Sequence, residues 1–140
     1  MHIGAIDIGT NSTHLLIADI DSELGTFRIE LAEKSTTRLG ERDPESGEIT
    51  SDAMERVLET LKRFQDLSVG YRVSNLVTAA TSAVREAPNG REFIGRIKDL
   101  LGIEVDLVSG PEEARLIYLG VLSGIPFGNK PHFLVDIGGG

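Results

Sequence analysis

The chain has 140 residues, enough for one domain with its own core, and its 22 Asp and Glu against 14 Lys and Arg give a net charge of -8. That balance argues against nonspecific nucleic-acid binding, which needs a basic stripe, and a polyanionic substrate would need cations placed at the site itself, from a metal or a few arginines. Cysteine is absent, which excludes disulfides and thiolate metal sites and fits a reducing cytoplasm, while no apolar run nears the ~20 residues of a membrane span.

Ile3 to Ile8 and Leu15 to Ile20 are apolar runs flanking Asp7-Ile8-Gly9-Thr10-Asn11-Ser12-Thr13. They read as two strands joined by a Gly-centred turn, entered so directly that no signal peptide is expected. Gly9 can take a positive φ and let the backbone approach a ligand, and Thr10, Asn11, Ser12 and Thr13 bring hydroxyls, an amide and N–H groups to one tip. Asp7 is the fixed charge there, and beside a phosphate it calls for a cation between them. The same residues also dominate plain hairpin turns for conformational reasons, and the stretch alone supports both readings equally. Thr26 to Ala32 alternates polar and apolar as a half-exposed strand, completing an antiparallel three-strand meander. Residues 35–51 lack periodicity and read as a loop.

Ser51 or Asp52 is expected to cap a helix, Glu55 completing a capping box with Asp52, and Met54, Val57, Leu58, Leu61, Phe64 and Leu67 form its core stripe. Val73 to Ala80 returns to strand character, and 81–85 open a short helical turn. Asn89 and Glu92 make a second capping pair before a helix bearing Phe93, Ile94, Ile97, Leu100 and Leu101, which Gly102 stops. Ile103 to Val108 is a strand. Gly110-Pro111 then starts a helix with Ala114, Ile117, Tyr118 and Val121 on its apolar stripe, ended by Gly124 and Pro126. Phe133 to Val135 is a last strand running into Asp136-Ile137-Gly138-Gly139-Gly140, an echo of the first turn. His2, His14 and His132 are scattered and read as structural, with His14 in the core.

Strand-helix alternation after the meander implies parallel, right-handed crossovers. The fold class is therefore α/β, a mixed sheet of an antiparallel meander plus parallel strands with helices on both faces. A Gly-Gly-Gly terminus gives the last strand nothing to pack into, so the expected organisation is a first domain over 1–125 and the start of a second, truncated one over 126–140.

Two further stretches can carry chemistry. Glu112 and Glu113 in Ser109-Gly110-Pro111-Glu112-Glu113-Ala114-Arg115 would be stabilised at a helix start in any case. A carboxylate at the carboxyl end of a parallel strand also sits at the ligand crevice, where it can act as a base toward water. Arg85, in Ala80-Thr81-Ser82-Ala83-Val84-Arg85-Glu86-Ala87-Pro88-Asn89, is either a surface residue paired with Glu86 or a guanidinium facing the crevice and gripping phosphate oxygens.

The paired Asp-Ile-Gly turns resemble those of the actin, Hsp70 and sugar-kinase superfamily, in which two RNase H-like domains each offer such a turn to the phosphates. Within it, Asp7 to Ala18 resembles the opening of the exopolyphosphatase and guanosine pentaphosphate phosphatase family (Ppx/GppA), and Arg38-Leu39-Gly40-Glu41, Ala80 to Asn89 and Ser109 to Tyr118 are similar to later segments of that family; for Arg38 to Glu41 both a solvated loop anchored by Leu39 and a direct substrate contact stay open. The resemblance implies an RNase H-like, actin-like ATPase fold and a hydrolase of phosphoanhydride bonds. Its substrate would be inorganic polyphosphate, guanosine pentaphosphate or both, with Glu113 as the catalytic carboxylate. It also implies phosphate contacts from Gly9, Thr10, Asn11, Ser12, Arg85, Gly138, Gly139 and Gly140, and Mg2+ or another divalent cation on Asp7 and Asp136. The full-length protein is expected to be a cytoplasmic homodimer with neither nucleic-acid nor membrane partners. The family's second loop continues with a Ser or Thr into a whole second domain, so residues 1–140 alone are expected to be close to inactive. Two other classes stay open: an ATP-dependent kinase of the same superfamily, against which the Glu-Glu-Ala-Arg segment suits water activation, and a noncatalytic sensor of guanosine tetraphosphate or pentaphosphate.

Overall fold

Alternating side chains lay down the first layer of the structure, a computed structural model that describes residues 1–128 and 131–139. Strands β1 (His2–Ile8), β2 (Ser12–Asp21) and β3 (Thr26–Thr36) form the antiparallel meander. Strand β4 (Asn75–Ala80) pairs parallel to β1, and β5 (Asp106–Leu107) parallel to β4, so the order is β3-β2-β1-β4-β5. This mixed five-stranded sheet is the RNase H-like arrangement that the sequence led us to expect. The β2–β3 register shifts between Ile17 and Ala18, which pair with Leu31 and Ile29, so Glu30 is the extra, bulged residue on β3.

Four helices follow: α1 (Ser51–Gly70), α2 (Ser82–Arg85), α3 (Gly90–Leu101) and α4 (Gly110–Gly124). Thr50, not Ser51 or Asp52, caps α1. It holds the extended conformation that a cap needs, and its hydroxyl accepts from the Ala53 N–H at 3.3 Å. Asn89 precedes α3 but does not cap it with its side chain. Its amide instead accepts from the Ile49 N–H at 2.9 Å and donates to the Ile49 carbonyl at 3.0 Å, tying the 37–50 loop to the α2–α3 corner. Gly102 ends α3 in the left-handed region, at φ 67°, with its N–H on the Lys98 carbonyl.

The core lies on one face of the sheet, where Ile6, Ile8, Leu15 and Ile17 meet Val57, Leu61 and Phe64 of α1 and Phe93 and Ile97 of α3, all buried. Each such side chain contributes about 1.5–3 kcal/mol of transfer free energy. Leu39 is fully buried as well and pins the 37–50 loop to the same core. The second face, expected to carry helix too, keeps Leu16 and Val77 exposed, and no residue of α4 is buried, although Ile117 and Val121 are half-buried. Two expected strands are shorter or missing. β5 keeps only Asp106 and Leu107, because only these pair with β4, while Ile103 turns into the core. Residues 133–135 form no strand, since nothing among the described residues offers them a backbone ladder.

Gly90 shows how tightly α3 meets α2: a Cβ there would collide with the Val84 carbonyl, whereas a Cβ on Gly95 of the same helix would meet nothing within 4 Å. Gly90→Ala is expected to cost about 1–3 kcal/mol, and Gly95→Ala to gain about 0.5–1 kcal/mol from helix propensity. Urea unfolding of both variants checks this, and equal effects would refute the close contact.

Candidate active site

β1, β4 and β5 run in the same direction, so the turns that follow them emerge at one edge of the sheet. Backbone bonds carry the ladder into those turns: the Thr81 N–H reaches the Ile8 carbonyl at 3.3 Å, and the Val108 N–H reaches the Ala80 carbonyl at 3.1 Å. Asp7 and the first turn, the Thr81–Arg85 segment and the Ser109–Glu113 helix start therefore lie side by side.

The first turn is narrower than the sequence suggests, because Ser12 already belongs to β2. Gly9 donates to the Ser12 carbonyl at 3.1 Å, and a Cβ on Gly9 would stand only 3.0 Å from that same oxygen. Its φ is outside the left-handed region, so it is close approach and not the expected positive φ that favours glycine there. The Thr10 hydroxyl shares a 3.1 Å hydrogen bond with the Ser82 hydroxyl of α2. Ser12 bonds His14 Nε2 at 2.8 Å. Thr13, by contrast, is fully buried and bonds the Thr37 hydroxyl at 3.0 Å, so it serves the core.

The loop after β3 forms a wall that supports this tip. The Thr37 and Arg38 N–H groups both donate to the Asn11 carbonyl, at 3.1 and 3.0 Å, and the Gly40 N–H donates to the Thr10 carbonyl at 2.8 Å. Behind the wall, Arg56 of α1 donates to the Thr37 carbonyl at 2.8 Å and to the Glu41 carboxylate at 2.6 Å. Arg42 donates to the Ala83 carbonyl of α2. Arg38 sits in the left-handed region at φ 48°, a conformation that costs a side-chain-bearing residue roughly 1–2 kcal/mol and that these bonds offset.

Arg85 joins the second and third turns. One guanidinium nitrogen donates to the Val108 carbonyl at 2.8 Å and to Glu113 Oε2 at 3.2 Å, whereas the nearest approach to Glu86 is 4.0 Å. The two adjacent glutamates, equivalent by composition, are thereby separated. Glu112 receives two 2.8 Å bonds from Arg115, which hold its carboxyl below the usual range, and its N–H is capped by Ser109. Glu113 is the one that faces Arg85.

Asp7 completes the cluster. Partial burial pushes its carboxyl above the ordinary value, His14 opposes that shift, and the negative charge of Glu113 adds to it. His14 was expected in the core. The strand alternation turns Thr13, Leu15 and Ile17 inward, which leaves His14 exposed and directly opposite Asp7 in the β1–β2 register. Strict period-two counting from Leu15 would have placed it outside.

The second Asp-Ile-Gly turn reaches the first at one point. A Cβ on Gly139 would collide with the side-chain amide of Asn11, while Gly138 stands in open space and Asp136 is exposed. Gly140 lies outside the described residues. Asp7 is a carboxylate short of positive partners, with the Thr10 and Ser12 hydroxyls on the adjoining turn. Such hard oxygen donors, few in number, suit Mg2+, which keeps several waters. Among the described residues, a group of three potential ligands forms only from His2, Asp19 and Glu30 at the other end of β1, where Asp19 already binds the N-terminal amine at 2.8 Å. The depression lined by Tyr118, Leu122, Phe127, His132 and Phe133 contains none of the cluster residues.

Comparison with known proteins adds an independent line. The sequence profile of the Ppx/GppA phosphatase family matches residues 6–140. Exopolyphosphatase 1 of Mycobacterium tuberculosis is 31% identical over 141 residues, covering 100% of this chain and 40% of that protein. The crystal structure of an exopolyphosphatase from Cytophaga hutchinsonii superposes with a TM-score of 0.82 at 40% identity, over 90% of this chain and 40% of its own. A Ppx/GppA family member from Aquifex aeolicus gives 0.82 at 33% identity, over 89% and 40%. The chain thus spans about 40% of the length of these relatives.

The raised Asp7 carboxyl fixes the sign of a pH effect. The folded chain disfavours the charged form, so ionised Asp7 costs stability at any pH above the ordinary 3.8, in full once pH passes the raised folded value. In metal-free buffer, Asp7→Asn is expected to raise the Tm at pH 7, with the gain shrinking as pH is lowered toward 3.8. A Tm that falls at pH 7 would overturn this account of the carboxyl.

Proposed function

The chain belongs to the Ppx/GppA phosphatase family, and from that premise we propose that the full-length protein hydrolyses phosphoanhydride bonds, releasing terminal orthophosphate from inorganic polyphosphate and, as a second substrate, from guanosine pentaphosphate. The observation that carries this reading is Glu113 held 3.2 Å from Arg85, close enough to Asp7 to act on its carboxyl. Polyphosphate is placed first because the relatives include exopolyphosphatases.

Phosphoryl transfer to water asks for three things: the terminal phosphate held, its developing charge offset, and a water aimed in line. Thr10, Asn11 and Ser12, with the N–H groups of the Gly9 turn, hold one side of the phosphate. Gly138 and Gly139 would offer backbone to the other side, across the point where Gly139 meets Asn11, and the same role is assigned to Gly140, which lies outside the described residues. Arg85 is half-buried and anchored by the Val108 carbonyl, so its guanidinium is oriented before substrate arrives. A phosphate arriving there competes with Glu113 for that guanidinium. Glu113, released, turns to the water and takes its proton. Asp7 and Asp136 would hold Mg2+, which supplies charge offset on the phosphate oxygens when bound. In this reading residues 1–125 form the first domain and 126–140 enter a second, which closes the cleft.

Phosphate release by the full-length protein with Mg2+, offered long-chain polyphosphate and guanosine pentaphosphate side by side, tests the reading. Glu113→Gln is expected to lower kcat about 100-fold or more, and release that survives the substitution would remove Glu113 as the base. Arg85→Ala is expected to raise KM, and an unchanged KM would take Arg85 out of the site. Residues 1–140 alone should release almost no phosphate, and robust turnover by them would overturn the two-domain cleft.

A further inference from the structure

Seven of the ten arginines of this chain are committed among the described residues. Arg28, Arg56, Arg63, Arg96 and Arg115 each pair with a carboxylate, Arg42 with the Ala83 carbonyl, and Arg85 with Val108 and Glu113. Arg72 and Arg91, which have no such partner among the described residues, lie at the end of α1 and the start of α3. Arg38 also has no side-chain partner among the described residues, yet it is exposed and its own N–H is bonded to the Asn11 carbonyl. It is the one uncommitted arginine whose backbone is stapled to the first turn.

Its conformation is the second observation; Arg72, at φ 54°, shares it, but there it closes the end of α1 with its N–H on the Val69 carbonyl, away from the first turn. At φ 48° Arg38 occupies a region where glycine or asparagine would sit with less strain. The turn keeps it there with bonds to the Asn11 and Thr10 carbonyls from the front and with Arg56 from behind. A turn serving only to connect β3 with α1 needs no cation at that position. Strained residues held by surrounding structure are places to look for function.

We propose that Arg38 is a substrate-binding residue, a guanidinium that contacts a phosphate of the polyanion beyond the terminal one, at the rim of the turn that grips the terminal one. The proposal rests on the phosphoanhydride reading above. It meets the charge problem of the chain: a substrate with several phosphates approaches a site that holds Asp7 and Glu113, and Arg85 is already half-neutralised by Glu113. A second, unpaired guanidinium with several donors supplies what Arg85 alone does not.

The test uses the full-length protein with Mg2+ and two probes, inorganic tripolyphosphate and orthophosphate. Affinities are measured calorimetrically in the Glu113→Gln background, so that binding is read apart from turnover. Arg38→Gly removes the guanidinium and the strain together. It is expected to leave Tm at or above that of the parent and to weaken tripolyphosphate about tenfold, with a change well under that for orthophosphate. Arg38→Lys, which keeps the charge, should recover part of the loss, and in the active enzyme the Arg38→Gly defect should fall on KM more than on kcat. Unchanged tripolyphosphate affinity, or equal losses for both probes, would overturn the proposal. Should the glycine variant fail to fold, Arg38→Asn, which also tolerates the left-handed region, takes its place. If the parent binds tripolyphosphate but the wild type releases no phosphate, the hydrolase reading falls while Arg38 is still decided by the affinities. If neither probe binds, both fall.

Discussion

The parallel pairing of β1 with β4 is the constraint on which the rest of this structure depends. It joins residues more than seventy positions apart, Ile8 beside Ala80, and it makes two chain segments end at the same level. The backbone bonds from Thr81 to Ile8 and from Val108 to Ala80 extend that level by one residue on each side. The first turn, α2 and the start of α4 are then neighbours by construction. An antiparallel β4 would have sent Arg85 to the far end of the sheet, where His2 and Asp19 lie. The geometry of the candidate site is thus a consequence of strand direction before it is a property of any side chain.

Around that frame the charges are arranged economically for so acidic a chain. Arg28, Arg63, Arg96 and Arg115 are tied to carboxylates on the surface, where exposed pairs contribute little to stability, about 0–1 kcal/mol each. Three are used differently. Arg56 and Arg42 spend their donors on backbone carbonyls of the 37–41 turn and of α2, and Arg85 spends one on Val108. Donors spent on carbonyls orient chain segments, and only Arg42 does this without a carboxylate partner, since Arg56 also pairs with Glu41 and Arg85 with Glu113. Asp7 and Glu113 face the opposite demand. Their mutual repulsion and the partial burial of Asp7 leave a carboxyl that is uncomfortable until something positive arrives.

Much of this was legible in the residues. Period-two and helical spacing located the meander, α1 and α3, and the Gly-Pro pair marked where α4 begins. The two Asp-Ile-Gly turns, Arg85 and Glu113 stood out as motifs, and the structure brings Asp7, Arg85 and Glu113 together. What escaped the sequence depends on partners distant along the chain. Asn89 has the residue type of a cap, yet Ile49, forty positions earlier, claims its amide. Thr50, Ser51 and Asp52 are all plausible caps, and only the dihedrals choose among them. His14 was read by composition where register decides. The 37–41 turn has no periodicity to detect, because its order comes from Arg56 and from the carbonyls of the first turn.

Strand β3 also decides how this sheet meets other chains. It is 11 residues long and lies at the edge, with one side of its backbone unpaired, and a flat strand of that length is a template for strand addition and aggregation. Arg28, Glu30, Glu33 and Lys34 are distributed along it, so a foreign strand docking there would have to strip water from charged side chains at successive positions. At the opposite edge β5 offers only two residues, too short a ledge for a visitor to hold. Among the described residues, then, the two margins of the sheet discourage strand addition in different ways: one edge by charge and the other by brevity.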